Sequence, residues 1–451
     1  MKPLLAEEVL DYAKNIAEEA EVFELSTQET PVVFEANKLK HIQNKESYSL
    51  ALRIIKGGRI GFASTNGTCT LLSHRGKKKE TINSLLNMAI ETSRFGFLSD
   101  FNFSPYNIFP KVSIYDPQIE KISREEMLRQ GKLLITRVKQ CAPAILCDVE
   151  ISKGTSYIHI INTQGGEASY KKSSFGISIE GVLTNDTDML FVGDSEISCN
   201  VSQEFSSVAD RVITQLEMAR NKATASTKSL PVIFTPRGVA STFSSPLALA
   251  FNGKTNLEGV SPLRDKLGEN IFNNTFSLYD DAISDYCLGS SPCDDEGVPS
   301  QQTMLINEGM VEHFIYDLQT AALAGSKSTG NGKRSGAGIP KPEMNFLVIK
   351  EGTTSFQDMI ADMKEGLLIE QLMGAEQGNI LGGDFGGNVL LGYKIEAGEI
   401  VGRVKDTMIS GNIYQVLKQP IKIGTVARDI DGEIKTPHLY CPDLSVSAKG
   451  G

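Results

Sequence analysis

Residues 290–331 read SSPCDDEGVPSQQTMLINEGMVEHFIYDLQTAALAGSKSTGN. Three consecutive carboxylates, Asp294, Asp295 and Glu296, run onto Gly297 between Pro292 and Pro299. Adjacent like charges repel, so such a run needs either solvent or a set of shaped partners. Residues 303–306 and 310–316 then flank Asn307-Glu308-Gly309 in the pattern of a β-hairpin, and the stretch closes on a Ser328-Thr329-Gly330-Asn331 turn. A second glycine cluster, Gly382-Gly383-Asp384-Phe385-Gly386-Gly387-Asn388, reads as another polar loop. Turns alternating with short strands predict a β-rich second half.

Working outward, residues 390–395 and 400–404 flank a second hairpin turn, and a short helix starting near Ser355 separates strands at 346–349 and 367–372. Residues 232–234 form a buried strand, and 238–251 have helical character interrupted by Pro246. The first half has a different texture. Leu5, Val9, Leu10, Ala13, Ile16, Ala17 and Ala20 recur at helical spacing, and strands are expected at 22–26, 31–35, 38–43, 47–55 and 60–64, the last pair joined by a Gly57-Gly58 turn. Helices follow at 81–94 and from Ser123, where Ser-Arg-Glu-Glu is a capping-box pattern. A strand meander over 148–195 and a helix from Gln203 to about Ala225 complete this half. The order helix, strands, helix occurs twice, which suggests a loose internal duplication. The fold class is therefore α+β: an N-terminal α/β meander domain over residues 1–225, followed by a β-rich C-terminal domain over 226–451.

The chain has 451 residues, 40% hydrophobic and 22% charged, the make-up of a soluble globular protein with two or three domains. A net charge of -10 argues against sequence-independent binding to nucleic acid, and the basic run Arg75–Lys79 reads as a solvated loop. No segment approaches the roughly 20 apolar residues of a membrane span, and the N-terminus turns acidic where a signal peptide stays apolar, which predicts a cytoplasmic protein. Seven scattered cysteines, Cys69, Cys141, Cys147, Cys199, Cys287, Cys293 and Cys441, lack a C-x-x-C pair and read as reduced thiols.

The five histidines, His41, His74, His159, His313 and His438, form no helical metal pair, and His313 is placed in a strand facing the acidic turn. No Gly-x-Ser-x-Gly elbow, Walker loop or dinucleotide fingerprint occurs. Asp294 and Asp295 beside Cys293 would oppose its thiolate. The acidic trio lacks the alternate spacing of a calcium loop. Two readings of it remain open: the acids accept bonds from turn amides, or they hold the amine or basic side chain of an extended peptide. On the second reading Asp294, Asp295, Glu296, Asn331, Asp384 and Asn388 are peptide-binding candidates.

Residues 34–40 (FEANKLK), 45–47 (KES) and 52–64 (LRIIKGGRIGFAS), followed by 294–299 (DDEGVP), 328–331 (STGN), 383–385 (GDF) and 410–412 (SGN), resemble in kind and order the TldD/PmbA family. The resemblance covers essentially the whole chain. It implies a two-domain α+β fold, a paired-subunit assembly and a link to intracellular proteolysis. In that family TldD subunits carry a His-Glu-x-x-x-His zinc motif on the helix after the first strand of the second domain, plus a C-terminal cysteine ligand. PmbA subunits, also called TldE, lack the motif and pair with TldD in a heterodimeric zinc peptidase that trims small peptides; the old label is modulator of DNA gyrase. Here the metal slots of that helix fall on Ser244 and Leu249, and Ser245 stands where the catalytic Glu would be. Leu gives zinc no lone pair, and a Ser hydroxyl is too weak a base to activate water. Cys441 does not match the cysteine context of the zinc-bearing branch. The resemblance therefore points to PmbA/TldE: no catalytic residues and no zinc in this chain, zinc only in a TldD-type partner, and a peptide or unfolded-protein substrate. The assembly is then a heterodimer, or a homodimer standing in for it. Two other readings are a self-sufficient homodimeric peptidase with an unrecognised metal, and a scaffold that binds peptides without cutting them.

Overall fold

A computed structural model describes residues 5–67, 75–186, 188–201 and 205–449, with the side chains of 75–77 and 205 left aside. Cys69 and His74 lie outside the described residues, as do the first residues of the strand expected at Thr187 and of the helix expected at Gln203.

The first half is one seven-stranded antiparallel sheet with helices on one face. Its elements are α1 (Ala6–Ala13), β1 (Glu19–Glu35), β2 (Lys38–Ile42), β3 (Lys45–Lys56), β4 (Arg59–Gly67), α2 (Arg75–Ser93), α3 (Pro117–Lys121), α4 (Arg124–Cys141), β5 (Leu146–Asn162), β6 (Glu167–Asn185), β7 (Asp188–Ser198) and α5 (Phe205–Met218). The strand order β4-β3-β1-β5-β6-β7 is two three-strand meanders placed back to back. Each half carries a helix pair, α1 with α2 and α4 with α5, so the duplication expected from element order appears as a pseudo-symmetric sheet. The join is β1 against β5, paired from Glu21↔Asn162 to Phe34↔Val149.

Local chemistry fixes the turns and starts. Gly57 and Gly58 take φ of 60° and 69°, left-handed values that a two-residue hairpin requires. Ser123 caps α4, its Oγ accepting from the Glu126 amide at 3.1 Å. Three expectations are corrected. The separate runs at 22–26 and 31–35 are a single strand, because Pro31 sits where the partner of β1 changes from β3 to β2 and no amide is needed there. Arg75–Lys79 opens α2 rather than forming a loop. The helix at 238–251 is not interrupted at Pro246.

The chain crosses to the second sheet within residues 199–221. That sheet has twelve strands and begins with β8 (Lys222–Ala223) and β9 (Lys228–Phe234). Strand β9 lies at its centre, parallel to Glu365–Met373 and antiparallel to Ile434–Ala448. Helix α6 (Pro236–Ala250) follows directly, with Pro236 at its first turn and the Thr235 Oγ1 accepting from the Gly238 amide at 3.2 Å. It runs through Pro246 at the loss of one backbone bond because Val239, Phe243, Leu247 and Ala250 are fully buried against the sheet. Phe234, Phe243 and Phe385 interlock there, with ring centroids 5.4 to 6.5 Å apart.

Strand parity decides which face of the first sheet meets which neighbour. Val22, Val32, Phe34, Leu50, Leu52 and Ile54 point to the helices, whereas Phe23, Ala51, Ile158 and Ile160 pack on Cys293 and Ala337 of the second half. The acidic trio therefore lies at the junction of the two sheets.

Gly238 brings α6 onto the sheet. A Cβ there would stand 2.4 Å from the Ile369 carbonyl oxygen, a backbone atom that cannot swing away. Gly238→Ala is expected to cost about 1–3 kcal/mol by overpacking, read as a lower urea midpoint at unchanged slope. A wild-type midpoint would show that α6 is not held this closely.

Candidate functional site

Residues 294–297 form a tight turn closed by Gly297 at φ 71°, and their acids are turned inward. Asp294 and Glu296 are buried, at 3% and 0% exposure. The Asp294 Oδ1 accepts from the amides of Glu296 and Val298, both at 2.9 Å, and its Oδ2 from that of Gly332 at 2.8 Å. The Asp295 Oδ2 accepts from the Arg334 amide at 2.8 Å. One Glu296 oxygen accepts from the Leu318 amide and the other from Arg53, each at 2.7 Å.

Arg53 belongs to β3 and directly faces Glu21 of β1, which it contacts at 3.0 Å. Arg334 completes the arrangement, its Nη2 donating to Glu21 at 2.5 Å and its Nε to the Asp295 carbonyl at 3.2 Å. Phe101 and Phe103 lie against the Arg53 guanidinium, and Phe23 against that of Arg334. The result is a water-excluded lattice that joins the two sheets. Burial works against the Arg53 charge, but Glu21 and Glu296 overcome it and hold its pKa above the ordinary arginine value. Burial pushes the Glu296 carboxyl up to about 7 despite the pull of Arg53, and burial, with Glu296 beside it, also raises Asp294 well above the usual carboxylate range. The Cys293 thiol is raised chiefly by burial and only then by the neighbouring acids.

Asn331, fully buried, donates from Nδ2 to Asp280 at 2.7 Å and to the Glu343 carbonyl at 3.0 Å, while its Oδ1 accepts from Thr329. Of the six peptide-binding candidates, Asp294, Glu296 and Asn331 are thus corrected to internal fasteners, because they are buried and their side-chain oxygens accept from internal partners, while half-buried Asp295 joins them through Oδ2 and its carbonyl. Amide capture, the other open reading of the trio, is what the geometry contains. Asp384 and Asn388 are exposed; Gly382 and Gly383 form a turn as expected, but residues 384–388 are no loop, because the strand Asp384–Glu396 pairs Asp384 with Asn412 and Asn388 with Met408. The Asp384 Oδ1 accepts from Asn412 at 2.8 Å, and Phe385 between them is core. The structure does not gather these two with the trio. His313 meets the Met304 carbonyl at 2.9 Å, away from the acids.

Sequence reading missed Glu21, Arg53 and Arg334. The available signal was a lone arginine inside the apolar run Leu50–Ile55; Glu21 is one of several acids in residues 18–24 and does not stand out.

The slots on α6 take a different form. Ser244 and Ser245 face a groove of about 390 Å³ walled by Leu288, Met344 and Leu347, with Lys333 and Asn345 beside them. The Ser245 Oγ bonds Glu376 at 2.5 Å, and Leu249, one turn further along the helix, is 37% exposed. A hydroxyl pair and an alkyl side chain do not fit a zinc ion, which takes imidazole, thiolate or carboxylate ligands. Cys441 is fully buried opposite Val232, and burial alone raises its thiol far above the ordinary value. Among the described residues no three His, Cys, Asp or Glu gather in a metal-holding arrangement, and no helix is long and apolar enough to cross a membrane.

Arg53→Met leaves Glu21 and Glu296 buried without their shared partner and is expected to cost about 3–5 kcal/mol near pH 8. Glu296 already has a raised folded pKa, and losing Arg53 raises it again. The folded protein then binds a proton before the unfolded chain as pH falls, so the deficit shrinks towards about pH 5.5. Urea unfolding at both pH values measures this; an equal deficit at each would contradict it.

Comparison with known proteins gives these features a context. Residues 227–448 match the model of the PmbA/TldA metallopeptidase C-terminal domain, and residues 20–93 that of PmbA/TldA metallopeptidase domain 1. An uncharacterized protein of Methanocaldococcus jannaschii is 25% identical over 410 residues, 90% of this chain and 92% of that one. A metalloprotease PmbA homolog of Haemophilus influenzae is 28% identical over 63% of this chain and 61% of its own length. A metalloprotease TldD homolog of the same organism is 34% identical over 39% and 36%. The crystal structure of TldE from Thermococcus kodakarensis superposes with a TM-score of 0.85 at 20% identity, over 98% of this chain and 99% of that one, so the fold is shared end to end. With matched domains in both halves and that fold, the chain belongs to the PmbA/TldD metallopeptidase family.

Proposed function

We propose that this chain is the TldE-type, zinc-free subunit of a cytoplasmic peptidase whose catalytic metal is held by a TldD-type partner. The observation that carries this reading is α6, where Ser244, Ser245 and Leu249 occupy the positions expected for two metal ligands and a general base. A hydroxyl bonded to Glu376 and an outward leucine supply neither function. The reading in which the acidic trio works as acid and base in a self-sufficient enzyme is disfavoured, because Glu296 is fully buried between Arg53 and the Leu318 amide and no substrate atom reaches it. In this reading the chain supplies a folded wall to a shared peptide channel, and its substrates are peptides or unfolded segments rather than nucleic acid or lipid.

The chain purified alone is expected to contain no stoichiometric zinc and to cleave no peptide, whereas mixing with a TldD-type subunit gives a complex that does both. Elemental analysis and a peptide-hydrolysis assay read the two properties. One zinc per isolated chain, or cleavage by it, would overturn the proposal.

A further inference from the structure

The groove over α6 retains features that the loss of metal chemistry does not explain. Asn345 lines it and is 5% exposed. Its Nδ2 donates to the Asp280 carboxylate at 2.9 Å and to the Gly330 carbonyl at 3.2 Å. A carboxylate and a carbonyl only accept, so the amide cannot be flipped, and Oδ1 is left as the acceptor. That oxygen has no partner among the described residues. Ser244, which lines the same groove, also has a buried Oγ without a partner. Buried polar atoms left unbonded are destabilising by about 1–3 kcal/mol each, so two in one groove point to something that fills it. Asn345 needs a donor, and Ser244 can donate or accept. A peptide group offers both, an N–H for Asn345 and a C=O for Ser244.

The charge of the groove selects further. Glu343, Asp431 and Glu433 line it and are exposed, with no ion pair among the described residues. The one cation among its described lining residues, Lys333, donates to the Met344 carbonyl at 2.9 Å and lies near the carboxylates of Asp280 and Asp295. The ammonium is thus matched from beneath, and the rim stays negative.

We infer that this groove binds an extended peptide bearing an ammonium group, with Glu343, Asp431 and Glu433 around the cation and Asn345 and Ser244 on one peptide unit. The inference rests on the proposed function only in taking a peptide as the ligand class. The ammonium is supplied either by a free N-terminus or by a lysine side chain, and both share the chemistry read here.

Fluorescence anisotropy on the full-length chain, at low ionic strength, distinguishes them. The probes are C-terminally labelled tetra-alanine with a free amine, its N-acetyl form, and N-acetyl peptides carrying one lysine or one glutamate. At least one cationic probe should bind about tenfold more tightly than N-acetyl-tetra-alanine and weaken with added salt, and the glutamate probe should bind least. A preference for the free amine assigns the N-terminus, and one for the lysine probe assigns the side chain. The Asp431→Asn, Glu433→Gln double variant, altered only on exposed side chains, should lose about tenfold for the cationic probe alone, and Ser244→Phe should block all probes. Circular dichroism checks that both remain folded. Equal binding of the neutral and cationic probes, no saturable binding, or insensitivity to the rim variant would each overturn the inference. Cleavage of the probes by the isolated chain would sink the subunit role and leave the groove assignment standing; absent binding would do the reverse.

Discussion

Arg53, shared between Glu21 of its own sheet and Glu296 of a turn in the second half, is the constraint on which the arrangement of the two halves depends. An ion pair removed from water gains little net stability, because desolvation cancels most of the attraction. What it gives is intolerance of error. Three buried acids, Glu21, Asp294 and Glu296, and half-buried Asp295 meet two guanidiniums and a set of turn amides, and any displacement of one sheet against the other strands a charge. A purely apolar junction of Phe23, Ala51, Ile158 and Ile160 on Cys293 and Ala337 would tolerate sliding. Charge, placed by strand register, removes that freedom.

The first sheet makes this register dependable. Its two meanders join through fourteen consecutive β1–β5 pairs, and each carries its own helix pair on the same face. With one face covered by helices, the odd-numbered residues of β1 and β3 are left for the second half. Glu21 and Arg53 are opposite one another in the β1–β3 ladder, so their contact is set by the register of the first sheet alone.

What the sequence disclosed followed from how local the cause was. The Gly57-Gly58 turn and the Ser123 cap are decided by residues within three or four positions, and both are where pattern reading puts them. Strand lengths are decided by partners far away. Pro31 looked like a break in β1, yet the break belongs to the neighbouring strands, which change over at that point. The acidic trio was conspicuous, but its destination was hidden: the amides of Gly332 and Arg334 lie nearly forty residues on, and Arg53 more than two hundred residues back. Solvated acids and buried fasteners look alike in one dimension. The glycine cluster at 382–388 misled for a related reason, since Gly387 belongs to a strand that packs against the backbone of residue 373, where a Cβ would stand 2.9 Å from the carbonyl oxygen.

The lattice and α6 also bear on one another through Asp280 and Asn345. Asp280 accepts from the amides of Asn345 and Phe346 and from the side chains of Asn331 and Asn345, so the loop that closes the junction is tied to the wall of the groove. Asn345 cannot rotate to satisfy its own oxygen without releasing that carboxylate. Its unbonded Oδ1 is therefore imposed by the fastening beneath it, and the groove acquires a fixed acceptor as a consequence of how the halves are locked. Helix α6 itself is held by Phe234, Phe243 and Phe385, on the side away from Ser244 and Ser245. The packing that keeps the helix in place makes no demand on what its groove face carries, so the residues there can vary while the fold and a shaped, polar cleft are kept.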